Sequence, residues 1–210
     1  MSRDRAPLGY RRDGFVVIRG ALDPAMVTAC REHLCHLRAH GQLTGAIVTA
    51  LLSSDLFLTG VADDPRLSTI ACSILGADPV PFGCTYIVKE PRSGLPVLWH
   101  QDGHPWRTHL GITEAVTLWI ALDPVSEENG GLRVIPGSHA LDAQPLRPSG
   151  DQASIFGAEI DPGLFDATDV RQLTLGPGDV SAHHPNLIHG SLRNRSKHVR
   201  RALAVRYRPA

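Results

Sequence analysis

Little in this sequence is out of balance, and each missing excess removes a class of protein. Its 21 Lys and Arg offset 21 Asp and Glu, for a formal charge of zero. That balance argues against the basic footprint of a nucleic-acid binder and against attraction to anionic membranes. No apolar run approaches the roughly 20 residues that span a bilayer; the longest, 46–52 and 115–122, fall far short. The start, Met1-Ser2-Arg3-Asp4-Arg5, carries charge with no apolar segment behind it, unlike a secretory leader, so the expected location is cytoplasmic. Cysteine is scarce: Cys30, Cys35, Cys72 and Cys84 form no Cys-x-x-Cys pair. They read as buried, reduced thiols rather than as a zinc site. There is no repeat and no linker-like stretch, and 210 residues are enough for one domain, 1–210, with a substantial core.

What is present changes period along the chain. Asp23-Pro24 places an N-cap acid before a first-turn proline, and Val27, Cys30, Leu34 and Leu37 recur at helical spacing until Gly41. Ahead of that helix, 14–19 is a β-branched run bounded by glycine, hence a strand. Further helices are expected over 46–58 and 64–75. After Pro81 the texture turns to short strands, at 82–89, 97–100, 116–122, 132–135, 170–175, 180–184 and 200–207, separated by Gly, Pro and Asn clusters. Such a series reads as a sandwich or barrel. The segment 145–169 is the one long irregular insertion, of the kind that forms lids or binding loops.

Chemistry concentrates at Leu98-Trp99-His100-Gln101-Asp102-Gly103 and, far downstream, at His189-Gly190-Ser191 and Arg200. Two histidines and one carboxylate on one face of a metal form the ligand set of non-haem Fe(II) oxygenases. In an extended strand His100 and Asp102 point the same way, and Gly190 allows the backbone at His189 to approach a neighbouring strand closely. Alone, His-x-Asp also arises at any polar strand end, and His183 and His184 compete with His189 as third ligand. His33, His36 and His40 read as a solvated helix face, and His139 as part of a Pro-Gly-Ser-His turn. Asn129-Gly130-Gly131, without a Lys or a following helix, reads as a hairpin turn. His104, Trp106, Arg107 and His109 either meet substrate or cover the sheet edge.

Four segments in order carry a resemblance: Trp99-His100-Gln101-Asp102, then 117–123 (Thr-Leu-Trp-Ile-Ala-Leu-Asp), then 128–139 (Glu-Asn-Gly-Gly-Leu-Arg-Val-Ile-Pro-Gly-Ser-His), then 189–196 (His-Gly-Ser-Leu-Arg-Asn-Arg-Ser) followed by Arg200-Arg201. With Arg12-Asp13-Gly14-Phe15 near the start, the chain resembles the phytanoyl-CoA dioxygenase family of Fe(II)- and 2-oxoglutarate-dependent oxygenases over nearly its whole length. The resemblance implies a mainly β fold, a double-stranded β-helix (a cupin-like jelly roll) with N-terminal helices packed on one sheet.

Carried over by position, the resemblance implies that His100, Asp102 and His189 hold Fe(II). His189 is preferred to His183 and His184 because Ser191, Asn194, Ser196 and Arg200 follow it at the family's offsets. Arg200 pairs with the distal carboxylate of the cosubstrate 2-oxoglutarate, with Ser191 donating to the same group and Thr85, from its strand position, joining the cosubstrate pocket. Arg200, Ala202 and Ala204 share one strand face, and Arg201 faces the opposite side with Leu203 and Val205. The implied reaction uses O2, releases succinate and CO2, and hydroxylates an unactivated carbon. Retention of Asp102 disfavours halogenation. The short stretch between Gly41 and Asp64, and the lack of a Lys/Arg cluster for a nucleotide diphosphate, favour a small metabolite or natural-product intermediate over an acyl-CoA. The competing expectations are a cupin-type metalloenzyme that does not use 2-oxoglutarate, and a non-catalytic ligand-binding relative.

Overall fold

A computed structural model of the protein describes residues 6–41, 47–50, 55–149 and 158–210, with the backbone path alone at 47–50. Local signals place the helices. Helix α1 (Leu8–Asp13) ends at Gly14 in the left-handed region and leads into strand β1 (Phe15–Ile18). Helix α2 (Pro24–Ala39) starts where expected, the Asp23 carboxylate accepting from the Met26 amide at 2.8 Å. The helix expected over 46–58 is corrected: Ile47–Ala50 is strand β2, and helix α3 (Leu56–Ala62) begins only after Asp55 caps the Leu58 amide at 3.0 Å. The β-branched run Ile47-Val48-Thr49 favours extended backbone, and the cap restarts the helix; residues 46 and 51–54 of that expectation lie outside the described residues. Helix α4 (Pro65–Leu75) runs from Asp64 to Gly76 as its caps predict.

The strands are β3 (Pro79–Lys89), β4 (Val97–His100), β5 (Val116–Ala121), β6 (Leu132–Val134), β7 (Leu146–Pro148), β8 (Ala158–Ile160), β9 (Arg171–Gln172), β10 (Val180–His183), β11 (His189–Ser191) and β12 (Arg200–Pro209). A six-stranded sheet has the order β1-β10-β5-β12-β3-β2, a four-stranded sheet the order β4-β11-β6-β9, and every pairing is antiparallel. This is the jelly roll, and its two sheets face each other. The expected strand over 170–175 shortens to two residues, continued by an isolated bridge from Val125 to Leu175. The insertion 145–169 contains the β7–β8 hairpin and two single 3₁₀ turns, with 150–157 outside the described residues.

Alternation sorts the large sheet into two faces. On β5 and β12, Leu118, Ile120, Leu203, Val205 and Tyr207 point outward and pack under Val27, Cys30 and Leu34 of α2, Leu58 and Val61 of α3, and Leu67 and Ala71 of α4. Each large side chain buried there contributes about 1.5–3 kcal/mol. Two tyrosines satisfy their hydroxyls on helix carbonyls: Tyr86 donates to Cys30 at 3.1 Å and Tyr207 to Ala62 at 2.7 Å. Trp119, Ala121, Ala202 and Ala204 point inward toward Leu132, Val134, Leu173 and Leu175. Arg201 lies on the outer side, as its parity predicts, and grips the Asp123 carboxylate through two donors at 2.7 and 2.8 Å.

Two expectations about single residues change. Cys30 and Cys84 are buried, but Cys35 and Cys72 are exposed; all four are free. His33 leaves the solvated helix face: its ring stacks on Phe57, reaches the Tyr86 hydroxyl at 3.1 Å and lies 3.2 Å from Asp55. Helix α3 and β3 close over it, which periodicity within α2 does not reveal. His36 and His40 remain exposed.

Candidate active site

The inner faces of the two sheets enclose a cavity of about 380 Å³. The corner that could hold a metal is built by the small sheet. His189 on β11 lies directly opposite His100 on β4, and neighbours so placed in an antiparallel pair have their side chains close; the rings are 4.1 Å apart. Close approach requires Gly190, where a Cβ would meet the Val97 carbonyl oxygen at 2.8 Å. Asp102 arrives by a different route from the one strand alternation suggests. Strand β4 ends at His100, the backbone turns, and Asp102 occupies the N-cap position of helix α5 (Gly103–Leu110) in a helical conformation with no capping bond from its side chain. Freed from capping, the carboxylate turns to His100, its Oδ1 3.6 Å from Nε2.

One ligand atom each from His100, Asp102 and His189 lies within 4.8 Å of the others. The turn carrying Asp102 is clamped to the loop that leads to His189: the Gly103 amide donates to Pro185 at 2.8 Å, and Gln101 Nε2 donates to Asn186 at 2.7 Å. Gln101 is therefore a buried brace, and its Oε1 also accepts from the Gln144 amide at 2.9 Å.

Both histidines are oriented alike. His100 Nδ1 lies 2.8 Å from the Leu98 carbonyl and His189 Nδ1 2.9 Å from that of Leu187. A carbonyl only accepts, so each Nδ1 carries the proton and each Nε2 keeps a lone pair for a metal. Burial, with His189 beside it, pushes the His100 imidazole down to about 4. Burial pushes Asp102 up, but His189, Arg206, His100 and His183 outweigh it and hold the carboxyl down to about 2. A neutral His100 and an ionised Asp102 are the states a divalent cation requires.

The large sheet supplies the other walls. Arg200 at the start of β12 is 1% exposed. Its Nη2 donates to the Gly130 carbonyl at 2.9 Å, its guanidinium lies 5.5 Å from the Trp119 ring centre, and its Nε has no partner. Among the described residues no carboxylate lies within ion-pair distance of it. Burial pushes the guanidinium down to about 10, with Asp123 opposing. A buried cation with an unused donor fits an arriving carboxylate. The Asn129-Gly130-Gly131 turn that caps this arginine joins β5 to β6 across the two sheets rather than closing a hairpin, which corrects the expectation. Ser191, two residues past His189, also lines the cavity.

Thr85 lines the cavity as well, but the β3–β12 register sets it opposite Ala204, while Lys89 stands opposite Arg200. Its hydroxyl accepts from Arg206 Nη1 at 2.7 Å. His183 is 1% exposed, its ring lies 4.9 Å from that of His189, and neither of its nitrogens has a hydrogen-bond partner. His184 points the other way, toward His139 and Tyr10. His139 is structural as expected, covering Gly14 and reaching the Arg11 carbonyl at 3.1 Å. Of the residues past the metal strand, Trp106 lines the cavity, while His104, Arg107 and His109 are exposed on α5. Sequence reasoning missed that helix because Gly103 and Pro105 look like breakers; both fall in its first turn, where proline is tolerated. It also missed Arg206, which has the same strand parity as Arg200.

The family model described as phytanoyl-CoA dioxygenase (PhyH) matches residues 10–202. The chain is 32% identical over 159 residues to L-proline trans-4-hydroxylase of Streptomyces griseoviridis, covering 68% of this chain and 59% of that protein. It is 36% identical over 125 residues to a probable alpha-ketoglutarate-dependent hypophosphite dioxygenase of Stutzerimonas stutzeri, covering 58% of this chain and 42% of that one. It thus spans about half the length of these relatives. Among solved structures, the non-heme alpha ketoglutarate dependent epimerase SnoN from nogalamycin biosynthesis superposes with a TM-score of 0.77 at 26% identity, over 99% of this chain and 83% of that one. With a match over nearly all its length and His100, Asp102 and His189 brought together as a group that could hold a metal, the chain belongs to the phytanoyl-CoA dioxygenase family.

Proposed function

We propose that the protein is an Fe(II)- and 2-oxoglutarate-dependent oxygenase that hydroxylates an unactivated carbon of a small metabolite or natural-product intermediate. The observation that carries this reading is the pairing, across one cavity, of a His-Asp-His cluster with a buried arginine whose Nε has no hydrogen-bond partner and which has no carboxylate within ion-pair distance among the described residues. His100, Asp102 and His189 would hold the iron on one face, leaving the other positions to cosubstrate, O2 and water. When bound, iron with 2-oxoglutarate and O2 supplies the oxidising chemistry: one oxygen atom ends in succinate, with loss of CO2, and the other in the substrate's new hydroxyl.

The protein's own part is placement. Arg200 and Ser191 receive the distal carboxylate of the cosubstrate, and Trp119 forms the wall beneath the guanidinium. Ala204 keeps the sheet surface low enough for a ligand to lie along it. Ile87, Val97, Leu132 and Leu146 line the rest, and their apolar surface excludes water from the reaction. Two relatives support a small substrate by their names, one acting on L-proline and one on hypophosphite. The epimerase likeness makes the outcome at the substrate carbon the point to test.

The test is an anaerobic titration of the metal-free protein with Fe(II) and then 2-oxoglutarate, followed in the visible range. A charge-transfer band from the chelated keto acid, lost or shifted to much higher cosubstrate concentration in Arg200→Ala, is expected. Iron binding with no band at any concentration would overturn the reading in favour of a cupin-type metalloenzyme that does not use 2-oxoglutarate.

A further inference from the structure

Once His100, Asp102 and His189 are assigned to iron, and Arg200 with Ser191 to the cosubstrate, one charged side chain of the cavity is unused. Arg206 lies on β12 with the parity of Arg200, Ala202 and Ala204, and all but Ala202 line the cavity. Six residues of strand separate the two α-carbons by about 20 Å, and the guanidiniums rest on different partners, Arg200 on the Gly130 carbonyl and Trp119, Arg206 on Thr85 and Trp106. With Arg200 assigned to the cosubstrate, Arg206 is left for a second ligand.

Arg206 is held as a recognition group is held. Its Nη1 donates to the Thr85 hydroxyl at 2.7 Å, and its guanidinium lies 5.6 Å from the Trp106 ring centre. Trp106 is itself buttressed edge-on by Phe82 at 5.2 Å. Thr85 and Trp106 thus aim the guanidinium from two sides, while its Nε is buried with no partner. Among the described residues no carboxylate forms an ion pair with it. The acidic side chain lining this cavity is Asp102, and iron takes that charge. A partly buried guanidinium facing a largely apolar cavity is stabilised by a ligand that brings an oxyanion. Arg206 stands opposite Thr117, whose hydroxyl donates to Asp102 Oδ2 at 3.4 Å, so a ligand bound to it lies toward the iron rather than toward the cosubstrate tail.

We propose that Arg206, positioned by Thr85 and Trp106, is the specificity-determining residue for the primary substrate, and that this substrate is a small molecule carrying a carboxylate. The inference rests on the iron and 2-oxoglutarate reading of the same cavity and adds to it the charge class of the substrate. It also moves Thr85 from the cosubstrate to the substrate.

The test is calorimetric titration of the anaerobic protein, loaded with Fe(II) and 2-oxoglutarate, with three probes of similar shape: cyclohexanecarboxylate, cyclohexanecarboxamide and cyclohexylphosphonate. The carboxylate is expected to bind at least tenfold more tightly than the amide. Arg206→Met should reduce that ratio to within about twofold, Arg206→Lys should keep part of it, and Thr85→Val should weaken the carboxylate several-fold with 2-oxoglutarate affinity unchanged. Equal binding of acid and amide by the unaltered protein, or binding of neither, would overturn the proposal, and so would preference for the phosphonate over the carboxylate. Loss of 2-oxoglutarate rather than of the probe in Arg206→Met would also overturn it, by returning Arg206 to the cosubstrate. The unaltered protein alone decides the charge preference, so a misfolded variant does not blunt the test. The visible titration separates the two readings: a missing keto-acid band with charge discrimination intact removes the oxygenase reading and leaves the anion subsite standing.

Discussion

The two sheets divide the site between them. The small sheet, with short strands, a register shift between His189 and Ser191 and a turn into α5, brings together the three side chains of the candidate metal site. The large sheet, whose central strands have both faces buried, contributes both arginines, Trp119, Thr117 and His183. The difference follows from what each ligand needs. Several donor atoms converging on one point require backbone that bends, and regular strands cannot bend so sharply. A donor for the anionic end of a ligand needs a stiff surface that keeps it at a fixed distance from the other donors, and a long paired strand provides one.

This division is open to direct attack. The largest effect is expected from Asp102→Ala on the small-sheet side: iron affinity should fall by at least about 100-fold, measured by anaerobic Fe(II) titration. Nearly normal iron binding would show that another group completes the site. On the large-sheet side Arg200→Ala should keep iron and weaken 2-oxoglutarate by about 100-fold, since a charge-assisted hydrogen bond is worth about 1.5–3 kcal/mol. Equal loss of iron and cosubstrate would erase the distinction between the sheets.

Gly190→Ala forces a methyl against the Val97 carbonyl, and chemical denaturation should show a loss of about 1–3 kcal/mol. Iron affinity should fall with it, because the added methyl pushes apart the strands that carry His100 and His189.

A subtler contrast concerns Lys89, 0% exposed on β3 opposite Arg200, with its Nζ donating to the Leu192 carbonyl. Burial, then Arg200, Arg133 and Arg193, push it down to about 6, against about 10.4 in an unfolded chain. Between those values the unfolded state binds more protons, so stability rises with pH through this window, by at most about 1.4 kcal/mol per pH unit. Denaturation midpoints from pH 7 to 9 should rise in the natural protein and flatten in Lys89→Met. The smallest effect is expected from His183→Leu, which should leave iron affinity within about twofold; loss of iron there would make His183 a ligand in place of His189.

Much of this was legible along the chain. Helix starts at Asp23 and Asp64 and the stop at Gly76 are local matters of capping, decided within one turn. The face that β12 turns inward follows from alternation, and the same parity already held Arg206. What stayed hidden depended on partners distant in sequence. Ile47–Ala50 is a strand because β3 offers an open edge, and His33 is enclosed because α3 and β3 close over it. Among the described residues no helix is long and apolar enough to cross a membrane, in keeping with the short apolar runs.

The sequence by itself determined the ligand types, their order and the alternation of β12, since residue identity and period are local properties. Tertiary structure alone decided that Asp102 reaches His100 and His189 through a turn into a helix, that His189 rather than His183 stands opposite His100, and that Thr85 belongs to Arg206. Those outcomes depend on strand register and on the clamp between Gly103, Gln101 and the 185–186 loop, contacts that exist only once residues more than eighty positions apart have been brought together.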